Sequence, residues 1–296
     1  MYHGIINVYK EKGYTSHDVV AKLRGITKQK KIGHTGTLDP DAEGVLPVCL
    51  GSATKVCDLL TDRDKVYQAV LLLGVDTDTQ DISGTVLKEK EVDGITDEQI
   101  IRTVNSFIGE YSQIPPMYSA IKIHGKKLYE LAREGKTVER EPRNVVIHDI
   151  QILNIELPRI EMEVFCSKGT YIRTLCHDIG EKLGCGGCME KLLRTKVGIF
   201  SLEDSIMLSE IEEKKNLDTL QEIITPVDIV FHEYPKIQIS PEMEKRLRNG
   251  NPFSMKTEPM EDGQKIRVYD SNGRFAAVYK FVKREKWFRP VKMFLQ

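Results

Sequence analysis

The segment at residues 33–51 constrains the chain more than any other stretch, and it reads GHTGTLDPDAEGVLPVCLG. Asp39 precedes Pro40, and the residue before a proline is held in extended backbone geometry. The flanking glycines allow another backbone or a ligand to approach closely. An isolated Asp-Pro is an ordinary turn initiator between strands, but a glycine-punctuated loop of this length is typical of an active site. We therefore predict that Asp39 is a carboxylate nucleophile on a rigid loop.

Composition is that of a globular protein with room for one large and one small domain. The chain has 296 residues, of which 40% are hydrophobic and 29% are charged. No apolar run approaches the roughly 20 residues that a membrane span needs. The first eight residues read MYHGIINV, which predicts a first strand rather than a signal peptide. We expect a cytoplasmic protein that does not bind membranes and is, by default, a monomer.

The six cysteines are scattered, which indicates reduced thiols rather than a disulfide framework. Only Cys185 and Cys188 have the spacing of a metal-binding pair. A structural zinc site normally takes four ligands, and the sequence has no second pair, so we expect no metal site. The loop at 33–51 lacks the glycine-rich phosphate motifs of nucleotide-binding proteins, so we also expect no cofactor.

Charge is segregated along the chain although its formal net value is only -1. Residues 19–38 carry five Lys or Arg and no acid, and residues 264–296 carry nine Lys or Arg against two acids. Clustered cations neutralise a phosphate backbone even on a neutral protein; the alternative is two solvated faces. We expect the balancing acids at 76–98 and 203–222 on another face of the molecule.

Periodicity predicts a mixture of strands and helices. Residues 66–73 are apolar on both alternating faces, which predicts a central strand covered on both sides. Helices are expected to begin at Thr15 and Thr96, which are N-cap residues, and strands dominate residues 144–167. Prolines at 226 and 235 mark a boundary, beyond which about 60 residues with an Asn-Gly hairpin turn predict a small β module.

Two further side chains are candidate partners of Asp39. A carboxylate nucleophile must be ionised at neutral pH, and an arginine in contact with it lowers its pKa by roughly 1 to 3 units. Arg173 lies in the first turn of a predicted helix, beside the core-facing Ile172; the alternative is a solvated helix arginine. Tyr67, in the buried strand, offers a ring to a base and a hydroxyl for proton transfer; the alternative is a core tyrosine.

Five separated motifs, in this order and spacing, resemble the TruB family of tRNA pseudouridine synthases, as does the C-terminal module. They are GHTGTLDP at 33–40 with GVLPV at 44–48, KVY at 65–67, PPMYSA at 115–120 and SKGTYIRTL at 167–175. The resemblance spans nearly the whole chain. It implies an α+β fold: a pseudouridine synthase core, with a mixed or antiparallel sheet and flanking helices, in residues 1–232. It also implies a basic thumb-like insertion at about 112–143 and a small C-terminal β-barrel of the RNA-binding PUA type in residues 233–296.

The activity implied by the resemblance is isomerisation of uridine 55 in the T loop of tRNA to pseudouridine. The glycosidic bond is broken, C5 is joined to the ribose, and no cofactor is consumed. The target base must be flipped out of its stack to be reached. The resemblance also allows a second role as a tRNA-folding helper.

The resemblance assigns the nucleophile to Asp39, base stacking and proton transfer to Tyr67, and pairing with Asp39 to Arg173. The substrate-binding residues that it implies are His34, which fills the space left by the extruded uridine, Leu192, an apolar wall of the pocket, and Gly36, Thr37 and Lys10. Glu11 stands where the family has a proline after this lysine. A structural role for Lys10 therefore stays open.

Three alternatives stay open at the level of sequence. One is a non-catalytic RNA-binding or tRNA-folding protein. The second is a metal-dependent hydrolase built on Asp39, Asp41 and Glu43, which the lack of clustered histidines disfavours. The third is the guide-RNA-dependent branch of the family that acts on ribosomal RNA, which the basic insertion and the lack of long basic tails disfavour. The residues also leave open whether Asp39 attacks C1′ of the ribose, attacks C6 of the base, or removes a proton to give a glycal.

Overall fold

The computed structural model describes residues 1–123, 125–255 and 258–295. The helices are α1 (Ser16–Thr27), α2 (Cys57–Thr61), α3 (Asp97–Asn105), α4 (Leu128–Arg133), α5 (Ile172–Leu183), α6 (Leu208–Asn216) and α7 (Glu244–Arg248). The first strands are β1 (Gly4–Lys10), β2 (Ile32–His34), β3 (Glu43–Leu50), β4 (Lys65–Leu73), β5 (Val75–Thr77), β6 (Val86–Glu89), β7 (Gly109–Gln113), β8 (Lys122–Ile123) and β9 (Lys126–Lys127). They are followed by β10 (Arg143–Glu156), β11 (Arg159–Cys166), β12 (Gly187–Val197), β13 (Phe200–Ser201), β14 (Lys236–Gln238), β15 (Lys265–Tyr269), β16 (Phe275–Val282) and β17 (Trp287–Met293). Across the described ranges, no helix combines the length and apolarity required to cross a membrane.

Nine of the described strands form one mixed sheet. Its main path runs β1-β3-β12-β4-β11-β10-β7, with β2 paired to β3 and β13 paired to β12. The neighbours are antiparallel except β12 and β3, which are parallel. Strand β12, which follows α5 in the chain, is inserted between β3 and β4. The strand that leaves the Asp39 loop and the strand that carries Tyr67 are therefore held on either side of β12, and the mixed α+β core is as predicted.

Helices pack on the sheet where the sequence pattern requires it. Helix α5 buries Leu175 and Ile179 against Leu71 and Met162 of the sheet. The predicted N-caps Thr15 and Thr96 are both present and form capping boxes. Strand β4 is central, as predicted, but the prediction that both of its faces are covered is wrong. Every second residue of β4 is buried and the alternate ones are half-buried or exposed, because α3 and α5 pack on one face of the sheet in the described part of the chain.

Gly44 allows β12 to lie against β3. It is opposite Arg194 in the parallel register of the two strands, and its φ is +102°. A Cβ at this position would lie 2.3 Å from the backbone oxygen of Arg194. Because real Cβ atoms do not approach backbone so closely, a side chain at position 44 forces the two strands apart.

We expect Gly44→Ala to destabilise the protein by about 3 kcal/mol, since it combines backbone strain with overpacking of the central sheet. The matched control is Gly13→Ala, which has a φ of +89° and no heavy atom within 4 Å of the added carbon. That variant carries the strain without the clash, so it should lose only about 1 kcal/mol. Urea unfolding midpoints of the two variants measure the difference, and equal losses would contradict the close approach of β12.

The residues after Pro235 form a second, smaller sheet. Its order is β14-β15-β16-β17, with β14 and β15 parallel and the other neighbours antiparallel. The predicted Asn-Gly turn joins β15 to β16, and Gly273 has a φ of +78° there. Within the described residues β14 and β17 are not paired with each other, so these strands form an open sheet rather than a closed barrel.

The smaller sheet is fixed to the large domain by apolar and polar contacts. The rings of Phe231, Phe275 and Phe294 pack together, with centroids 5.1 to 6.0 Å apart. Lys55 Nζ donates to the backbone oxygen of Met293, and Lys292 Nζ donates to that of Lys55, both at 2.6 Å. The orientation of this module relative to the large sheet is therefore set by a largely buried aromatic cluster and by two hydrogen bonds between Lys55 and residues 292–293.

Candidate active site

The loop at residues 35–42 joins β2 to β3 and presents Asp39. The backbone N–H of Leu38 donates to Ser16 Oγ of α1 at 2.9 Å. The backbone N–H of Ala42 donates to the backbone oxygen of Asp39 at 3.1 Å, which closes a turn of the kind expected after Asp-Pro. These bonds on both sides of Asp39 hold its backbone in one position relative to the sheet.

Lys10 lies beneath this loop and is fully buried. Its Nζ donates to the backbone oxygens of Ala42 at 2.6 Å and of Pro40 and Glu11 at 3.1 Å each. Burial lowers the pKa of Lys10 to about 8, against the raising effect of nearby acids. Two of these acceptors belong to the loop, and the third belongs to Glu11, the residue that follows Lys10 in the chain. These contacts favour the structural role that the sequence leaves open for Lys10 over contact with substrate.

Arg173 lies between two carboxylates. Its Nε is 3.1 Å from Asp39 Oδ2 and its Nη2 is 3.5 Å from Asp39 Oδ1. Its Nη1 is 3.2 Å from Asp81 Oδ2. The Arg173 side chain is only 7% exposed, so the alternative of a solvated helix arginine is wrong. The structure thus brings Asp39 and Arg173 together and adds a second acid to the pair.

The first turn of α5 is held in place by side chains from distant segments, and this positions Arg173. Gln113 Nε2 donates to the backbone oxygen of Tyr171 at 2.9 Å, and the Tyr171 N–H donates to Gln113 Oε1 at 2.8 Å. Thr174 Oγ1 donates to Gln80 Oε1 at 2.7 Å. In addition, Nη2 of Arg173 donates to the backbone oxygen of Tyr118 at 2.9 Å.

The charge distribution predicts that the acids at 76–98 lie on another face of the molecule. For the acids at the start of this segment that prediction is wrong. Asp78 and Asp81 line the same cleft as Asp39. Asp76 accepts from the backbone N–H of Gly187 at 3.1 Å. The reason is that the segment containing β5 and β6 folds back to the cleft edge, where Arg173 supplies Asp81 with a buried cationic partner.

The floor of the cleft is one face of the large sheet. Tyr67 on β4 is directly opposite Arg194 on β12, and Leu192 is opposite Ala69 in the same register. Tyr67 is 7% exposed and Arg194 is 1% exposed. Lys65, two residues before Tyr67 on the same strand face, also lines this floor. The phenol of Tyr67 therefore lies beside the buried guanidinium of Arg194, on a sheet face that also carries Ala69 and Leu192.

Two adjoining cavities meet above this floor, with volumes of about 400 and about 650 Å³. Residues that line both include Thr37, Asp39, Tyr118, Arg173 and Leu192. Residues that line only the smaller cavity include Gly36, Lys65, Tyr67, Tyr171 and Arg194. The Asp39 side chain keeps 39% of its surface accessible. A small molecule in the smaller cavity would therefore contact the carboxylate.

His34 is half-buried on β2, and its ring lies edge-on to that of His17 with centroids 5.2 Å apart. His17 lines the larger cavity, whereas His34 is outside both linings. Burial, together with the charge of His17, lowers the pKa of His34. A neutral ring at the cleft rim suits stacking on a base rather than contact with a phosphate.

Burial and neighbouring charges have opposing effects on the pKa values of the two reactive groups, Asp39 and Tyr67. Burial in the cleft raises the pKa of Asp39, Arg173 lowers it and Asp81 raises it, with a net pKa above the ordinary value of the carboxyl group. Burial likewise raises the pKa of Tyr67, while the positive charge of Arg194 opposes that rise. The cleft therefore combines a carboxylate paired with a guanidinium, a buried phenol and an apolar wall.

Among the described residues, no group of three or more His, Cys, Asp or Glu is placed to hold a metal ion. Cys185 and Cys188 are buried free thiols near the end of α5 and the start of β12. The carboxylate of Glu43 accepts a hydrogen bond from the hydroxyl of Tyr9 at 3.2 Å. A metal site built on the acids of the loop is therefore not supported by the donor set.

Segment 112–143, the predicted basic insertion, leaves the sheet after β7 and returns to it at β10. It contains the two-stranded ribbon β8-β9 and helix α4. Tyr118, Ala120 and Tyr129 of this segment line both cavities, and Lys127 and Arg133 line the larger one. The insertion therefore forms a wall of the cleft and brings cations to its edge.

Several residues of the site were not singled out from sequence: Asp81, Gln113, Tyr171 and Arg194. Asp81 belongs to an acidic stretch that resembles a solvated surface. Arg194 lies in a strand with several other charged residues, so its burial has no local signal. Tyr171 lies within the motif SKGTYIRTL at 167–175. Lys65, also not singled out, lies within KVY at 65–67, and membership of these motifs is the one sequence signal that points to either residue.

Comparison with known proteins agrees with this geometry. The sequence model of the TruB family pseudouridylate synthase N-terminal domain matches residues 24–172, and that of the tRNA pseudouridylate synthase B C-terminal domain matches residues 173–232. A tRNA pseudouridine synthase B of Lachnoclostridium phytofermentans is 56% identical over 307 residues, covering 99% of this chain and 100% of the relative. One of Clostridium perfringens is 45% identical over 298 residues, covering 99% of each chain.

Solved structures of lower sequence identity have the same fold. A chain of a Cbf5-Nop10-Gar1 complex has a TM-score of 0.73 and 27% identity, covering 99% of this chain and 85% of that one. A chain of an H/ACA RNP bound to a substrate RNA has a TM-score of 0.73 and 25% identity, covering 99% and 86%. The chain therefore belongs to the TruB family of pseudouridylate synthases, and it is an enzyme of that isomerase class.

Proposed function

We propose that this chain isomerises uridine 55 in the T loop of tRNA to pseudouridine, without a cofactor. The observation that carries the proposal is the ion pair of Asp39 with Arg173, beside Tyr67, in a cavity of about 400 Å³. That volume suits one flipped nucleoside. Relatives at 45 to 56% identity are named for tRNA, whereas the Cbf5 chain is 27% identical. These identities favour tRNA over a guide-RNA-directed substrate.

In the proposed reaction Asp39 is the ionised carboxylate that acts when the glycosidic bond breaks, and Arg173 keeps it charged and oriented. Tyr67 stacks on the base and exchanges a proton with it, and Leu192 forms an apolar wall. Gly36 and Thr37 border the nucleoside. Its extrusion costs a few kcal/mol, which stacking and phosphate contacts offset.

Residues outside the cleft are proposed to bind the rest of the tRNA. We assign residues 1–232 to the catalytic domain, 112–143 to a thumb that closes on the T arm, and 233–296 to a PUA-like RNA-binding domain. His34 fills the space left by the extruded base. The basic residues of 19–38 and 264–296 contact the phosphate backbone. A monomer of this kind also serves as a tRNA-folding helper.

The direct test is incubation of the purified chain with an unmodified tRNA transcript and no added cofactor, followed by chemical mapping of pseudouridine. We expect modification at uridine 55 alone. A transcript with cytidine at position 55 is the matched substrate control and should stay unmodified. Failure to form pseudouridine, or its formation only at another position, would overturn the proposal.

The raised pKa of Asp39 predicts the acid limb of the pH profile. Since the reaction needs the ionised carboxylate, the single-turnover rate should fall as pH drops through the pKa of Asp39. Because burial raises that pKa, the half-maximal rate should lie above the ordinary aspartate value of about 3.9. Circular dichroism at each pH separates titration from unfolding.

Asp81→Asn should move this acid limb to lower pH. The charge of Asp81 raises the pKa of Asp39. When that charge is removed, Asp39 is the one remaining carboxylate in contact with Arg173. Asp218→Asn, at a side chain that is 93% exposed, is the control and should leave the limb in place. An unchanged limb in Asp81→Asn would show that Asp39 is not the titrating group.

A further inference from the structure

Arg194 is a buried cation without an anionic partner. It is 1% exposed, and among the described residues no carboxylate lies within ion-pair distance of it. Its Nε donates to the backbone oxygen of Val45 at 2.7 Å, and Nη2 lies 3.5 Å from that of Gly36. An arginine side chain stays charged in proteins, and an uncompensated buried charge is costly.

The structural contacts of Arg194 do not require its charge. Its one short hydrogen bond goes to a neutral carbonyl, and a neutral donor of similar length makes the same bond. The free-energy cost of burying the charged guanidinium therefore indicates a partner that becomes anionic during the reaction.

Tyr67 is the group in position to be that partner. It is directly opposite Arg194 across the β4-β12 pair, and both side chains line the smaller cavity. The charged or titratable groups that face Tyr67 from the surrounding elements are Arg194 from β12, Cys166 from β11 and Asp39 from the loop. Lys65, on β4 itself, directs its Nζ to the backbone oxygens of Thr61 and Arg63 at 2.7 and 2.6 Å, and it is not among the groups that shift the pKa of Tyr67.

The isomerisation itself moves one proton, since N1 of the uracil gains a hydrogen and C5 loses one. When the C1′–N1 bond breaks, its electron pair goes to N1, which takes the proton of the Tyr67 hydroxyl. After C5 has bonded to C1′, the phenolate of Tyr67 takes the C5 proton, and the electron pair of that C–H bond restores the C5–C6 double bond. Tyr67 ends neutral, and no external acid or base is consumed.

We propose that Arg194 is a positioning residue for this proton transfer, whose guanidinium stabilises the transient phenolate of Tyr67 between the two steps. The inference rests on the proposed function, because the phenolate exists only if the chain isomerises uridine. Burial by itself disfavours a phenolate, and Arg194 is the cation directly opposite Tyr67. Its effect on Tyr67 is also present in the free protein, where it can be measured without RNA.

The first test replaces Tyr67 by 3-fluorotyrosine in the full chain and follows the ¹⁹F resonance with pH. Arg194→Gln, which keeps a donor for Val45 but removes the charge, should raise the pKa of the phenol at position 67. Arg194→Lys should raise it less. Arg159→Gln is the matched control, since Arg159 is a half-exposed arginine of the neighbouring strand β11 paired with Glu190. That variant should leave the resonance titration in place.

The second test measures single-turnover pseudouridine formation in tRNA. Arg194→Gln should lower the rate by about 10²-fold, the scale for loss of one preorganised electrostatic contact. The more acidic 3-fluorotyrosine at position 67 should restore roughly tenfold of that loss, because one pKa unit corresponds to a factor of ten. A purely structural role for Arg194 gives no such rescue.

Two outcomes overturn the inference. One is a pKa of the phenol at position 67 that does not change in Arg194→Gln. If the Gln variant does not fold, an unchanged pKa in Arg194→Lys overturns the inference instead. The other is a loss of rate that the fluorinated phenol does not reduce. If the unaltered chain forms no pseudouridine, the proposed function fails with it, and the titration then reports only an electrostatic contact.

Discussion

Asp39→Asn is expected to abolish pseudouridine formation while tRNA binding is kept. Loss of one residue of a catalytic unit lowers turnover by about 10⁴-fold or more where it has been measured in a hydrolase. Asn is nearly isosteric, so the turn closed by Ala42 and the cavity walls should persist. Affinity for tRNA should stay within about twofold, because contacts to the phosphate backbone dominate RNA affinity. Single-turnover assays and filter binding on the same transcript measure the two quantities.

Asp41→Asn is the matched control for this variant. Asp41 is an exposed acid of the same loop, two residues from Asp39. It should keep a rate close to that of the unaltered chain and the same tRNA affinity. Equal losses at both positions would indicate a cluster of loop acids rather than one nucleophile. Undiminished turnover in Asp39→Asn would remove the carboxylate from its proposed role.

The same variant separates catalysis from the folding-helper role. Because Asp39 lies in the cleft and not in the basic segments, Asp39→Asn should still accelerate refolding of a misfolded tRNA. Burial raises the pKa of Asp39, so the charged form is disfavoured by the fold and its removal should not lower the free energy of unfolding. Loss of both activities with an intact thermal transition would contradict this separation.

Features with local signals were predictable from the sequence. The turn at Asp39 follows from the Asp-Pro pair, and the starts of α1 and α3 follow from their N-cap residues. The position of Arg173 near the start of α5 follows from the apolar stripe of that helix. Each of these depends on residues within about one or two helical turns, where local geometry controls the outcome.

Features that depend on long-range pairing were not predictable. The insertion of β12 joins it to β3, about 150 residues away in sequence, and to β4, about 127 residues away, and it alone puts Arg194 opposite Tyr67. The ion pair of Asp81 with Arg173 links segments 92 residues apart. No periodicity marks such a contact, so Asp81 is indistinguishable in sequence from its solvated acidic neighbours. The open second sheet likewise depends on strand pairing rather than on turn signals.

Arg173→Gln is expected to cost both activity and stability. The guanidinium contacts Asp39 and Asp81 together, and Gln leaves the two carboxylates near each other without the cation that bridges them. Turnover should fall by about 10³-fold because Asp39 loses the charge that keeps it ionised and oriented. The free energy of unfolding should fall by about 3 kcal/mol, the scale for a broken buried ion pair. Chemical denaturation and single-turnover rates measure the two losses.

Arg102→Gln is the control, since it breaks an ion pair with Glu98 whose side chains are 77% and 82% exposed. Its effect on stability should stay below about 1 kcal/mol. Arg173→Lys should be intermediate, because an ammonium cannot span two carboxylates as a planar fork does.

The double variant Arg173→Gln/Asp81→Asn separates the two roles of Arg173. Removing the second acid relieves the repulsion that Asp39 meets in Arg173→Gln, so most of the lost stability should return. The rate should stay low, because the cation that orients Asp39 is still absent. If rate and stability recovered together, Arg173 would act only by neutralising charge. A rate that stays low in a stable protein means that Asp39 needs its guanidinium partner for the chemistry itself.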